Sequence, residues 1–387
     1  MKNASFRIPI KTIAWPGCCW PWADLFLLVL VAPACANDMA SSRRFLVPVI
    51  AVGGAVAAGA ALSRAKGDVY TPPEHSLDEK LMIITGGTAG LGLEYVKRLA
   101  TAGASVVLTS RTQVKGKAAV DEVKSYLKER GVDNDKVYSL QLDLDDLESV
   151  KSFSQRLVDD TPVGSQKINV LMNNAGVAAI PDRQLTKDGL ERQFQSNHVG
   201  HFALTATLFR GLAPNARIIN VSSMAYKIPH SGLPIDDLNG QKYYKAWYNY
   251  GVSKLANILF TKELQRRADQ AGIAIKTFSL HPGLVDTDIT HNMFGTERME
   301  QLKTGQNLNP LVYGFWRILK LLMKTVQEGA STQIYLAAVS DDVVNEHGGD
   351  YFVDRKPTKL SGAAKDMDAA KKLWVASEEF SKTTFEL

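Results

Sequence analysis

A four-residue apolar run, Leu81–Ile84, leads directly into Thr85-Gly86-Gly87-Thr88-Ala89-Gly90-Leu91-Gly92, and a helical pattern through Leu93, Val96 and Leu99 follows. Strand, glycine turn and helix in this order aim backbone N–H groups and the positive end of a helix dipole at a phosphate. Glycine lets the backbone approach such a group closely, because no Cβ stands between them. The spacing is Gly-x-x-x-Gly-x-Gly, unlike the Gly-x-Gly-x-x-Gly of the commoner dinucleotide fingerprint. Taken alone, the segment also reads as a tight strand–helix loop without a ligand.

The same rhythm continues along the chain. Apolar runs at Leu81–Ile84, Val106–Leu108, Val137–Leu142, Ile168–Met172, Ile218–Val221, Ile275–Leu280 and Tyr351–Val353 predict strands. Most are apolar throughout, as expected for strands buried on both faces of a parallel sheet. Helical patterns lie between them, over 90–102, 114–130, 145–159, 187–212, 250–271 and 326–339. This alternation predicts an α/β fold: a Rossmann-like, doubly wound parallel sheet with right-handed crossovers. Its site should lie at the C-terminal ends of the strands. Two segments interrupt the rhythm. Met224–Trp247 is a long loop carrying Tyr226, Tyr243, Tyr244 and Trp247, placed to wall a substrate pocket. Leu311–Met323 is apolar, with Arg317, Lys320 and Lys324 on its polar side. It reads as a substrate lid, as an amphipathic helix lying on a membrane, or as a helix packed on the core.

The second strand ends at Ser110-Arg111. A carboxylate there would bind the ribose hydroxyls of NAD, whereas an arginine suits the extra phosphate of NADP. This strand end has Arg111 and no carboxylate, with Lys115 and Lys117 close behind, which favours NADP. A solvated loop arginine is the plainer alternative. Tyr250 and Lys254 sit four apart at the head of a helical run, so both side chains share one face. A cation beside a phenol lowers the tyrosine pKa toward neutrality and produces a general acid/base. On its own, Tyr-x-x-x-Lys is usually a surface helix contact.

Four segments now fall in order: the Thr85–Gly92 turn, Asn173-Asn174-Ala175-Gly176, Ser222-Ser223 after Ile218–Val221, and Tyr250 with Lys254. Together they resemble the short-chain dehydrogenase/reductase family over about residues 80 to 355. The resemblance implies roles. Ser223 would hydrogen-bond the substrate oxygen, and Tyr250 would exchange the proton. Lys254 would hold the nicotinamide ribose and tune Tyr250, and Asn197 would anchor a proton-relay water. For the cofactor, Gly86, Thr88, Gly90, Leu91 and Gly92 match the phosphate turn, and Asp143 with Leu144 the adenine contact. Asn174, Ala175 and Gly176 match the floor. Pro282, Val285 and Thr287 match the segment that closes over the nicotinamide amide.

The Tyr-Asn-Tyr-Gly-Val-Ser-Lys-Leu-Ala-Asn-Ile-Leu-Phe context, Glu328-Gly329-Ala330 and Lys372-Leu373-Trp374 are similar to the retinol dehydrogenase and WW-domain oxidoreductase branch. That branch implies NADPH-dependent reduction of apolar aldehydes and ketones, retinal-like, steroid or lipid-derived. Gly87-Thr88-Ala89 departs from the branch's usual small residues, which weakens identity with any one member. Two other readings stand beside this one. Light-dependent protochlorophyllide reductase is a relative that suits a plastid leader, but it uses a cysteine in its site. A catalytically silent NADP-binding membrane scaffold is the other, and the intact Asn197, Ser223, Tyr250 and Lys254 argue against it. His198, His201, His230 and His281 read as packing or hydrogen-bonding residues, and no metal site is expected.

Composition divides the chain. Residues 1–67 hold seven basic and two acidic side chains out of 45 Lys+Arg and 40 Asp+Glu, which leaves 38 of each sign for the rest. The catalytic part thus has no net charge to attract nucleic acid. Cys18, Cys19 and Cys35 all lie in this leader, so the remainder has no disulfide or thiol chemistry. Leu25–Ala34, followed by Ala34-Cys35-Ala36, reads as a signal-peptide core. Phe45–Leu62 is 18 uncharged residues between Arg43-Arg44 and Arg64 with Lys66, just long enough to span a bilayer. Either the first stretch is a signal and the second an anchor or transit element, or Met39 is the start and Phe45–Leu62 is an N-terminal anchor. Both predict membrane association through the N-terminal segment, in the endoplasmic reticulum or an organelle, plastids included, unless the whole leader is cleaved. Residues 68–79 read as a linker and 80–387 as the catalytic domain. The expected small-molecule partner is an apolar carbonyl or alcohol. Family members often form homodimers.

Overall fold

The computed structural model describes residues 68–285, Tyr313 and 323–387. Thr287, both apolar stretches of the leader and all of residues 311–322 except Tyr313 lie outside the described residues. Among the described residues, Leu81–Ile84 (β1), Ser105–Ser110 (β2), Val137–Gln141 (β3), Ile168–Asn173 (β4), Leu212–Val221 (β5), Ile275–Leu280 (β6), Tyr351–Val353 (β7) and Lys356–Pro357 (β8) form one sheet. Its order is β3-β2-β1-β4-β5-β6-β7-β8. The pairings from β3 across to β7 are parallel, and β8 turns back antiparallel on β7.

The helices are Gly90–Thr101 (α1), Gln113–Lys128 (α2), Leu147–Lys151 (α3), Phe153–Asp160 (α4), a composite α5, Ala246–Gln270 (α6), Val326–Ala338 (α7), Asp341–Val344 (α8) and Met367–Ser381 (α9). In α5, Arg192–Phe194 and Gly200–Leu208 are α-helical and Gln195–Val199 between them is a π-helical turn. Alternation along β1 sorts the core. Leu81 and Ile83 join one apolar cluster with α5, α6 and α9, and Met82 and Ile84 join a second with α1, α2 and α7. A side-chain period of two sends neighbours to opposite faces, so a wholly apolar strand needs helices on both. Fully burying each such side chain contributes roughly 1.5–3 kcal/mol. This is the expected Rossmann-like arrangement. The strand order reverses at β1, whose neighbours are β2 and β4, and that reversal opens a crevice at the carboxyl ends.

Several elements depart from the sequence reading, among them the split of the helix expected over 145–159 into α3 and α4 and the unexpected α8 and β8, and three departures have a clear local cause. The helix expected over 187–212 starts at Arg192, because Gly189 turns the chain at φ +78° and Glu191 caps the helix. The Glu191 carboxylate accepts from Gln193 N at 3.0 Å and Phe194 N at 2.7 Å. Leu212 already pairs with Ile168, so β5 begins six residues before the expected Ile218. The C-terminal helix α9 was not expected. Its buried Ala370, Leu373, Trp374, Ser377 and Ser381 recur at helical spacing behind the cap Asp366, a pattern that is visible in the sequence. The segment expected as a linker lies against the domain. Leu77 is buried, Tyr70 N donates to Ser331 Oγ at 3.2 Å, and the Tyr70 ring meets Tyr335 edge-on at 5.3 Å.

Candidate active site

The turn after β1 has little freedom. Gly86 has φ +66°, and a Cβ on Gly92 would lie 2.1 Å from the Gly86 carbonyl oxygen. α1 starts at once, with no side-chain cap and no acidic residue in its first turn. Its first N–H groups therefore have no acceptor within the helix. Thr85 ties the turn to the loop after β4: its Oγ1 accepts from Asn174 N at 2.8 Å and from Ala175 N at 2.9 Å. The Asn174 side-chain amide returns a bond to the Thr85 carbonyl at 2.8 Å.

A cleft of ≈ 290 Å³ opens above these strand ends. It is lined by Gly86, Thr88, Gly90, Leu91, Gly92, Arg111, Asp143, Leu144, Asn174, Ala175 and Gly176, all singled out in the sequence. Ser110, Asp145, Val177 and Ser196 also line it and were not. Asp145 accepts from Arg192 Nε at 2.9 Å and from the Ser196 hydroxyl, so it braces α5 against the cleft rim. Its place in Asp143-Leu144-Asp145 was the only available hint. The free α1 donors and the missing Cβ atoms fit the pyrophosphate of a dinucleotide.

The end of β5 docks α6 through three consecutive residues. The Val221 carbonyl accepts from Lys254 Nζ at 3.1 Å, and Ser222 Oγ donates to the Lys254 carbonyl at 2.7 Å. The Ser223 hydroxyl is hydrogen-bonded to the Tyr250 phenol and also accepts from Ala225 N at 3.2 Å. Ser222 is thus a helix clamp, and Ser223 is the serine that faces the tyrosine. Trp247, one turn before Tyr250, meets its ring edge-on at 6.1 Å. Gly176 connects this end to the cleft: a Cβ there would lie 2.9 Å from Asn197 Oδ1 and 3.5 Å from Lys254 Nζ.

Asn197 sits in the π-helical turn, a geometry often found at functional sites. Its Oδ1 accepts from Val177 N at 2.8 Å, and its Nδ2 donates to Val177 O and Ser253 Oγ, both at 2.9 Å. One Oδ1 lone pair is left for a water. Pro282 and Val285 follow β6 and do not line the cleft. Val285 bridges Lys324, and a Cβ on Gly329 would touch both Val285 and Leu91, which puts Val285 beside the head of α1.

The electrostatics correct one expectation. Burial pushes the Tyr250 phenol up to about 12, against a smaller lowering by the Ser223 hydrogen bond. Burial also pushes Lys254 down to about 8. The ammonium is 5.7 Å from the phenol ring centroid and is engaged with the Val221 carbonyl. Removing a phenolate from water therefore outweighs this cation, and Tyr250 is a protonated donor at neutral pH.

Of the histidines singled out, His198 and His201 are buried and hydrogen-bonded, the partly buried His281 accepts from Gly283 N at 2.9 Å, and His230 is exposed rather than packed. His201 Nδ1 contacts the Asn197 carbonyl at 3.0 Å and its Nε2 contacts Thr85 Oγ1 at 2.9 Å. Among the described residues no group of three or more His, Cys, Asp or Glu is placed to hold a metal. Burial holds His198 at about 3 and His201 and His281 at about 4, below the usual 6.5. Depressed folded values mean that the unfolded chain binds more protons, so stability present above pH 6.5 is lost as pH falls toward 4. Unfolding in urea between about pH 7 and 5 should show a loss of up to roughly 2 kcal/mol per histidine, above the carboxylate range. A flat profile there would contradict neutral buried rings.

The comparisons with known proteins agree with this geometry. A family model described as short chain dehydrogenase matches residues 80–298. Retinol dehydrogenase 12 of Mus musculus is 34% identical over 302 residues, covering 78% of this chain and 85% of that protein. The chloroplastic short-chain dehydrogenase TIC 32 A of Brassica napus is 37% identical over 312 residues, covering 78% and 88%. The crystal structure of an uncharacterised protein from Mycobacterium paratuberculosis superposes with a TM-score of 0.60 at 32% identity, covering 83% of this chain and 100% of that one. Site geometry, fold and relatives converge: the chain belongs to the short-chain dehydrogenase/reductase family, beside the retinol dehydrogenases, as an oxidoreductase of alcohol and carbonyl groups.

Proposed function

We propose that this protein transfers a hydride between NADP(H) and the carbonyl or alcohol group of a small apolar substrate, retinal-like, steroid or lipid-derived. The observation that carries the reading is the hydrogen-bonded Ser223–Tyr250 pair, with Lys254 Nζ 5.7 Å from the phenol ring and next to Gly176, which lines the cleft that begins at Arg111. When bound, the nicotinamide nucleotide supplies the hydride and, once oxidised, a positive ring.

The chain's own residues do the rest. Ser223 and Tyr250 hydrogen-bond the substrate oxygen and fix the carbonyl. Tyr250 gives its proton to that oxygen as the alcohol forms. Lys254 then lies beside a phenolate and offsets part of the desolvation cost that otherwise holds the phenol near 12. Asn197 holds a water that returns a proton to Tyr250. The N–H groups of Gly90, Leu91 and Gly92 hold the pyrophosphate, and Asp143 and Leu144 hold the adenine. Trp247 supplies an apolar wall next to the reacting centre, which suits the substrate class of the retinol dehydrogenase relative.

Preference for NADP rests on Arg111 at the rim of the cleft and on the absence of a carboxylate in Ser110-Arg111-Thr112. A charge-assisted hydrogen bond to the extra phosphate is worth about 1.5–3 kcal/mol. Arg111→Ala should therefore lower kcat/KM with NADPH by roughly 10- to 100-fold and leave kcat/KM with NADH nearly unchanged. The test follows nucleotide absorbance with retinaldehyde and a panel of other aldehydes and ketones, using both nucleotides and both enzymes. Equal use of NADH and NADPH by the wild type would remove the NADP assignment. No turnover of any apolar carbonyl would remove the substrate class.

A further inference from the structure

The Val221 carbonyl that receives Lys254 has a second donor. Asn257 Nδ2, one turn further along α6, donates to the same oxygen at 3.1 Å. Both side chains are buried. A carbonyl can only accept, so the Asn257 atom that faces it must be the nitrogen. Oδ1 then faces His198 Nδ1 at 3.3 Å, which makes that ring nitrogen the N–H donor. His198 Nε2 is then an acceptor 2.8 Å from Ser377 Oγ on α9, and it competes for that hydroxyl's single proton with the Leu373 carbonyl at 2.7 Å. A directed chain runs from His198 through Asn257 to the anchor of Lys254, and Ser377 on α9 packs against its far end. None of its members touches the cleft.

We propose that Asn257, held by His198, is a positioning residue for Lys254. It fixes the Val221 peptide unit so that the ammonium is presented at Gly176, where a Cβ would lie 3.5 Å from Nζ. Without Asn257, the carbonyl has only the lysine to hold it, and a long flexible side chain anchored to a loosened acceptor no longer has one place. The unit has a polar partner at each step, and a partly broken buried network costs more than an apolar one. Asn257 therefore acts on nucleotide binding and proton transfer only through Lys254. This rests on the reading that Lys254 contacts the nucleotide.

A double-mutant cycle in the full-length protein tests both levels, with NADPH affinity measured by fluorescence titration and folding checked by melting temperature. Lys254→Met alone should weaken NADPH binding; no change would refute the role of Lys254 itself. Asn257→Leu keeps the branching and number of heavy atoms, with bulkier methyls, and removes both hydrogen bonds. It should weaken NADPH binding roughly 10-fold when Lys254 is present and less than about 2-fold in the Lys254→Met background. Equal losses in the two backgrounds would overturn the positioning role and leave Asn257 a packing residue. A second variant reads out on pH. Asn257→Asp is the same size, cannot donate to Val221, and sets a carboxylate near the ammonium. The titratable groups around Lys254 are Tyr250 on α6 and His201 on α5, with His198 behind Asn257. The alkaline limb of kcat/KM, set by Lys254 near pH 8, should move up by about one unit or more. An unmoved limb with lower melting temperature would mean a structural role only.

Discussion

Tyr250→Phe is expected to lower kcat by roughly 10²- to 10⁴-fold, the range for removing a positioned general acid, while NADPH binds nearly as before. The ring stays, so the edge-on contact with Trp247 at 6.1 Å is preserved and the fold loses nothing substantial. What disappears is the one hydroxyl that Ser223 orients and that burial keeps protonated at neutral pH. Loss confined to kcat and kcat/KM, with nucleotide affinity intact, is the signature of an interaction made in the transition state. Steady-state turnover and a fluorescence titration of NADPH, on the same preparation, separate the two quantities. Turnover within a few-fold of wild type would rule out Tyr250 as the proton donor.

Gly92→Ala is expected to abolish tight nucleotide binding and to destabilise the fold. The new Cβ would stand 2.1 Å from the Gly86 carbonyl oxygen, a backbone atom that cannot rotate away. The turn must open instead, and Gly86 holds it at φ +66°, where few other residues are at ease. Overpacking of this kind costs about 1–3 kcal/mol, occasionally more. Opening the turn also swings the first N–H groups of α1 off the phosphate position. Losing even one charge-assisted bond costs about 1.5–3 kcal/mol, so a fall in affinity of roughly 100-fold or more is expected. Gly211→Ala is the control, because a Cβ there meets only Ile168 Cδ1 at 3.5 Å, an ordinary contact. Wild-type NADPH affinity in Gly92→Ala would show that the turn does not bind phosphate as argued.

The chain's local patterns carried the architecture. β1, α1 and β2 are legible because an apolar run, a glycine turn and a helical stripe each have a distinct period. The cleft residues from Gly86 to Gly176 were legible because they sit at strand ends, where the site of such a sheet must be. α9 was missed although its spacing is helical, since Trp374 shows its weight only when packed on Phe260 and Phe202. Asp145 and Ser196 were missed because they are 51 residues apart and meet only across the cleft.

By itself, the sequence determined the fold class, the family and the residue types of the reacting centre, because these rest on short-range spacing: Tyr250 and Lys254 on one helical turn, glycines beside one strand. Only the tertiary structure decided the protonation state. The sequence put a cation four residues from a phenol and implied a lowered pKa. The fold buries both, engages Lys254 with Val221, and leaves Tyr250 at about 12. Spacing sets which groups can meet, but desolvation depends on everything packed around them, and no local pattern encodes that sum.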